Sequence, residues 1–99
     1  MEVILNSQII YEANCTIDVS DNELQASYML VTTHEKTRNC FSVLCLLHDG
    51  DSTETKFVYD VACSESEGIA LVDAMCRCKV VPYSADETVY EYISAKYSV

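Results

Sequence analysis

The sequence predicts an α+β domain, an antiparallel β-meander of four or five strands followed by two C-terminal helices packed on one face. Three observations carry this prediction. Residues 40–48, Cys-Phe-Ser-Val-Leu-Cys-Leu-Leu-His, contain no charge, glycine or proline. They are apolar on both alternating faces, as in a strand buried on two sides. The segments flanking this run alternate apolar and polar residues with period two, the pattern of half-buried strands. Beyond residue 63 the period lengthens to that of a helix, twice, each time behind a Ser-x-x-Glu capping box.

Residues 3–19 place Val, Leu, Ser, Ile, Tyr, Ala, Cys, Ile and Val at odd positions against largely polar even ones. One strand of that length would reach about 55 Å at ~3.3 Å per residue, too long for so small a domain. A break is therefore expected near Asn6-Ser7 or near Ala13-Asn14. The first would leave a short initial strand and a long one over 8–19. Ser20-Asp21-Asn22-Glu23 is a polar turn, residues 24–33 read as the next strand, and residues 34–39 form a polar loop. The central run 40–48 ends in Asp49-Gly50, a strong hairpin signal. Residues 55–63 return as a strand with Phe57, Tyr59, Val61 and Cys63 on its packed face. Val58 falls on the wetter face with Lys56 and Asp60, which points to a position near the sheet edge.

The first helix covers 69–79 behind Ser64 as N-cap and Glu67 three residues on. Leu71, Ala74, Met75 and Cys78 form its stripe, with Ile69, Val72 and Cys76 beside it. Arg77 and Lys79 suit the negative end of the helix dipole, and Pro82 ends the helix. The second helix covers 85–96 behind Ser84, with Val89, Tyr92 or Tyr90, Ile93 and Tyr97 available to bury. Two helices on one face leave the other face of 40–48 apolar. Either the long N-terminal segment folds across it or a second chain does.

At 99 residues the chain makes one domain, 1–99. Apolar residues make up 49%, with two glycines and one proline, a composition unlike that of disordered chains. No apolar run approaches the ~20 residues that span a bilayer, so no membrane partner is expected. The N-terminal Met-Glu-Val-Ile-Leu-Asn carries an acid where a secretory signal carries a base, which points to a cytoplasmic protein. Sixteen acids against six bases give a formal charge of −10, and residues 1–35 contain no lysine or arginine. Direct nucleic-acid binding needs a basic footprint and is not expected. A basic protein is the physical complement, reached fast and in a salt-sensitive way. Solubility alone also explains an acidic surface.

The six cysteines lack an export signal, a Cys-x-x-Cys pair and a close Cys–His pair of zinc-site type. Most are read as small buried hydrophobes rather than disulfides or metal ligands. Cys40 and Cys45, five apart in one strand, point to opposite faces. Asp49-x-Asp51-x-Thr53 opens like a calcium loop. It lacks the glycine at the sixth position and has Asp60 where the bidentate glutamate belongs, so a hairpin tip explains it better. His34 and His48 sit at strand ends, and nothing aims either at a thiol. No nucleophile-elbow, phosphate-loop or dinucleotide motif is present. Catalytic, cofactor and metal residues are therefore expected to be none. Tyr83, Tyr90, Tyr92 and Tyr97 crowd the last seventeen residues. One or two are expected in the core and the others exposed among Asp86, Glu87 and Glu91, a plausible docking face.

Residues 67–93 hold a helix, then Val80-Val81-Pro82, then a helix with Val89-x-Glu91-Tyr92-Ile93. This resembles an uncharacterised family of short Firmicutes proteins, with a small strand region, a helix, a Val-x-Pro junction and a final Val-x-Asp-Phe-Leu-like helix. Glu91 stands where that family has aspartate, and the strand region departs from its tyrosine-glycine start. The resemblance assigns no residue a role. In size, charge and lack of catalytic motifs the chain also resembles small acidic anti-defence proteins of phages and mobile elements, anti-CRISPR and anti-restriction inhibitors among them. That resemblance implies carboxylates occupying a basic groove where phosphates would lie.

The expected function is thus a non-catalytic interaction protein, an inhibitor that lays an acidic face on the basic surface of a nucleic-acid-binding enzyme. Candidate contacts are Asp18, Asp21 and Glu23 at one end of the sheet, and Asp49, Asp51 and Glu54 at a hairpin tip. Tyr83, Asp86, Glu87, Tyr90 and Glu91 supply the rest, at the last helix. The alternative is a homodimeric structural or regulatory domain whose acidity serves only solubility.

Overall fold

The computed structural model describes residues 7–97, with side chains described through residue 96. Strands β1 (Ser7–Val19), β2 (Asn22–His34), β3 (Asn39–Asp49) and β4 (Ser52–Ala62) form one antiparallel sheet in chain order. Helices α1 (Glu65–Arg77) and α2 (Ala85–Tyr97) follow, the second entered through a 3-10 turn at Pro82–Ser84. The expected α+β meander with two C-terminal helices is what forms. The short initial strand considered before Ser7, and burial of the Tyr97 side chain, lie outside the described residues.

β1 does not break at Ala13-Asn14. It absorbs its length through a bulge, with Ile10 the extra residue between the pairs Ile9↔Val31 and Tyr11↔Leu30. Beyond it, Tyr11, Ala13, Cys15 and Ile17 lie across from Leu30, Tyr28, Ala26 and Leu24, so these residues share one face. Both helices pack on that face. Leu71, Val72 and Met75 of α1, then Val80, Ala85 and Val89, close over Tyr28, Leu30, Val43 and Cys45. Tyr28 sits at the centre, fully buried, and its hydroxyl donates to the Val80 carbonyl at 2.7 Å. A buried tyrosine needs such a partner. The Cys45 thiol donates to the same carbonyl at 3.7 Å.

Gly68 marks the closest approach of helix to sheet. A Cβ there would lie 2.5 Å from Leu30 Cδ1 and 2.8 Å from Cδ2. The first capping box forms as expected. Ser64 accepts from the Glu67 N–H at 3.3 Å, and Glu67 Oε1 reaches the N–H of Cys63 at 3.1 Å. The end of α1 differs from expectation. The helix stops at Arg77, and Lys79 takes the left-handed conformation at φ 54°. The N–H groups of Lys79 and Val80 then bond back to the Cys76 and Met75 carbonyls at 3.2 and 3.1 Å. This paired termination satisfies the last carbonyls before Pro82 is reached. Cys78, expected on the buried stripe, is instead the exposed cap. At the second expected capping box, the Glu87 N–H bonds to Asp86 Oδ1 at 2.9 Å, and the Ser84 carbonyl accepts from Thr88 Oγ1.

The expected faces of β4 are also corrected. Between the pairs Val43↔Val58 and Phe41↔Ala62 the strand carries two extra residues, with Asp60 at φ 58°. Val58 and Val61 both reach the core, while Phe57 and Tyr59 are exposed at 48% and 53%. The distortion is held from outside the strand. The Asp60 N–H donates to the buried Ser42 Oγ at 2.9 Å, and Arg38 grips the Asp60 carboxylate at 3.1 and 2.8 Å.

Candidate functional site

An antiparallel meander brings its first and third turns to the same end of the sheet. In this chain those are the turns at Ser20-Asp21 and Gly50-Asp51, closed by the pairs Val19↔Asn22 and Asp49↔Ser52. The two hairpins, residues 17–24 and 48–55, contribute six acids and no lysine or arginine. Asp18, Asp21, Glu23, Asp49, Asp51 and Glu54, separate groups in the sequence, thus form one acidic end, and all six are exposed.

The local backbone shows why each carboxylate stands where it does. Ser20 and Asp21 have φ 46° and 70°, so this two-residue turn holds two non-glycine residues at positive φ. That geometry favours Asn-Gly. Only Gly50 in the second turn has positive φ, at 62°, so glycine takes the first central position and Asp51 the second. The strong Asp49-Gly50 signal is thus shifted by one residue. Asp18 lies directly across from Glu23 in the β1–β2 register. Like charges in that position repel. These two stand on the face away from the helices, whereas Glu54, paired with Leu47, stands on the helix side. Asp18, Asp21, Asn22 and Glu23 line an open depression of 520 Å³.

The remaining candidates are not gathered here. α2 begins beside β4, where Asp86 pairs with Lys56 at 3.5 Å, so Asp86 is not the free contact expected of it. Glu87, Tyr90 and Glu91 are exposed along one side of the helix, and Tyr83 precedes them at 91% exposure. Tyr92 packs half-buried against the core. The opposite end of the sheet carries an open depression of 750 Å³, lined by Arg38, Asp60, Cys63 and Ile93 among others. Its principal charges are already paired. The Arg38 guanidinium holds the Asp60 carboxyl below the usual carboxylate range, and nearby Tyr59 donates to Glu35.

The chemistry-bearing side chains do not converge. His34 and His48 lie at opposite ends of the sheet, bonded to Asn39 at 2.9 Å and Thr53 at 3.0 Å. Of the cysteines, Cys40 and Cys45 are buried, on opposite faces as expected. Cys15 and Cys76 are half-buried, and Cys63 and Cys78 are exposed, so burial of most of the six is corrected to burial of two. Burial pushes the Cys45 thiol up to about 12, away from the thiolate character that nucleophiles need. Among the described residues no group of three or more His, Cys, Asp or Glu side chains is arranged to hold a metal ion. No described helix is long and apolar enough to cross a membrane.

The sheet face opposite the helices, expected from the sequence to be apolar along 40–48, also carries exposed residues from β1 and β4 that the sequence did not assign to it. Ile9 and Phe57 stand there, exposed at 53% and 48%, with Met29, Leu44 and Leu46 partly exposed beside them. The apolar alternation of 40–48 marked the face, but the two bulges that decide who joins it have no signal in composition. No family model, curated protein or solved structure matches the chain.

Proposed function

We propose that this protein is a non-catalytic inhibitor whose acidic sheet end binds a basic, nucleic-acid-binding surface of a partner protein, in the manner of anti-CRISPR or anti-restriction proteins. The observation that carries the reading is the convergence of six carboxylates from two hairpins on one end, with no basic residue in either hairpin. Two features favour a binding role over acidity for solubility alone. Asp18 and Glu23 face each other across a strand pair although like charges there oppose folding. Asp21 occupies a positive-φ position that glycine would fill without strain. Local stability is given up at the point where negative charge is densest. Glu87 and Glu91, with Tyr83 and Tyr90, form a second exposed strip that extends the contact along the helix layer.

The test is capture from cell lysate at about 0.05 M and about 0.5 M salt, where screening differs about threefold in length. A six-fold neutralised variant (Asp18→Asn, Asp21→Asn, Glu23→Gln, Asp49→Asn, Asp51→Asn, Glu54→Gln) is run beside the wild type. Nucleic-acid-binding proteins retained at low salt, released at high salt and not bound by the variant are expected. Capture indifferent to both salt and neutralisation would refute the proposal.

A further inference from the structure

We infer that the sheet face opposite the helices is a homodimer interface, on which a second copy of this chain packs face to face. The inference stands on the sheet face, which meets the acidic end only at Asp18 and Glu23, and does not depend on the role of that end. Among the described residues this face is closed at Val31, Cys40 and Ser42 but left open over Met29, Leu44, Leu46 and Phe57. From Ser7 to Val19 the chain pairs as an edge strand, β1, and both helices lie on the other side. Ile9, Met29, Leu44, Leu46 and Phe57 are left facing outward or partly so, over a sheet whose central strand is apolar on both faces. Such a strand belongs in a sheet covered twice.

Charge selects the occupant. Alternate positions from Gln25 to Thr33, from Cys40 to His48 and from Thr53 to Tyr59 make up this face on β2, β3 and β4. None of them is Asp, Glu, Lys or Arg, although the chain carries 22% charged residues. Apart from the Glu35 carboxylate that Tyr59 holds at one end, a basic partner finds no carboxylate along these positions. A second copy, with the same charge of −10, meets little repulsion at this uncharged patch. Glu12, across from Met29, and the Asp18–Glu23 pair form its charged rim. An interface with a charge-depleted core, aromatic and Met side chains and a polar rim has this anatomy.

Area supports the same occupant. Four strands about 4.8 Å apart and about 35 Å long give a face of roughly 650 Å² before side-chain relief is counted. Two such faces together reach the roughly 1,200–1,600 Å² of a stable association. Packed sheets sit about 10 Å apart with strands near −30°. A two-fold axis across the strands would set the two acidic ends at opposite extremes of the dimer, where they repel least. The edges are poorer surfaces for self-association, because β1 is bulged at Ile10 and β4 at Asp60.

Sedimentation equilibrium of the full chain tests this, from about 1 to about 200 μM, the range for a modest interface. A dimer is expected, and it should tighten with added salt, because screening relieves the repulsion of two acidic chains. That salt response is opposite to the one expected for the basic partner, so the two readings fail separately. Phe57→Glu should weaken the dimer at least about 30-fold while circular dichroism stays that of the folded chain. Should that variant not fold, Thr55→Glu, at an exposed position of the same face, serves in its place. A wild type that stays monomeric throughout would overturn the inference and assign the face to a different protein. A dimer that both substitutions leave intact would overturn it too, by placing the interface elsewhere.

Discussion

Gly68→Ala offers a sharp test of how α1 is seated on the sheet. In an exposed helix this change adds about 1 kcal/mol of stability, because alanine loses less backbone freedom than glycine on folding. Here the added methyl would stand 2.5 and 2.8 Å from the two Leu30 methyl carbons and 3.2 Å from its Cγ. Leu30 is fully buried, so it has no solvent side to retreat into. Overpacking of that kind costs roughly 1–3 kcal/mol, which outweighs the propensity gain and leaves a net loss near 1 kcal/mol. In a Leu30→Ala background the obstruction is gone, and the same change should become stabilising by about 1 kcal/mol. The coupling between the two sites, about 2 kcal/mol, is large enough for a double-mutant cycle read by urea unfolding at constant slope. If Gly68→Ala stabilised the wild-type protein, α1 would not lie as close to β2 as described. The one-sided arrangement of the helices would lose its anchor.

Two further outcomes follow from the same structure. Replacing Ser20-Asp21 by Asn-Gly should raise stability by about 1 kcal/mol, since both positions have positive φ, and should weaken capture of a basic partner. An unchanged denaturation midpoint would mean that the turn stores no strain. Stability should also fall at alkaline pH. Burial, with a smaller contribution from Cys15, pushes the Cys45 thiol from 9.0 up to about 12, and burial raises the Tyr28 hydroxyl as well. Both groups hold their protons more tightly in the fold than in the unfolded chain. Their contribution is therefore complete below about pH 9 and is lost as pH climbs through the folded values. Urea midpoints at about pH 8 and about pH 10 measure the loss, and Cys45→Ala should shrink it. A midpoint that rose with pH would contradict the burial of these groups.

Much of the fold was legible in the sequence because its signals are local. The doubly apolar run at 40–48 marks β3, the Ser64–Glu67 capping box marks the start of α1, and two polar clusters mark the hairpins. The misread features are those that distant residues impose. Asp60 leaves the strand alternation because Ser42 and Arg38, 18 and 22 residues earlier, hold its backbone and carboxylate. Phe57 and Tyr59 are consequently exposed rather than packed. α1 ends at Arg77 because Lys79 accepts a left-handed backbone, a choice that no composition rule assigns to lysine. For the site, the sequence supplied the acids and the topology supplied their grouping. Hairpin order alone joins Asp18, Asp21 and Glu23 to Asp49, Asp51 and Glu54, while Asp86 is withdrawn by Lys56.

The most direct measurement of the proposed function is competition on the captured partner. The partner, bound to this protein at low salt, is titrated with the duplex or single strand that it normally holds. If the six carboxylates stand where phosphates stand, occupancy is mutually exclusive. Nucleic acid then displaces the protein one for one. A stable ternary complex, carrying protein and nucleic acid together at saturation, would contradict phosphate mimicry and with it the role assigned to the acidic end of the sheet.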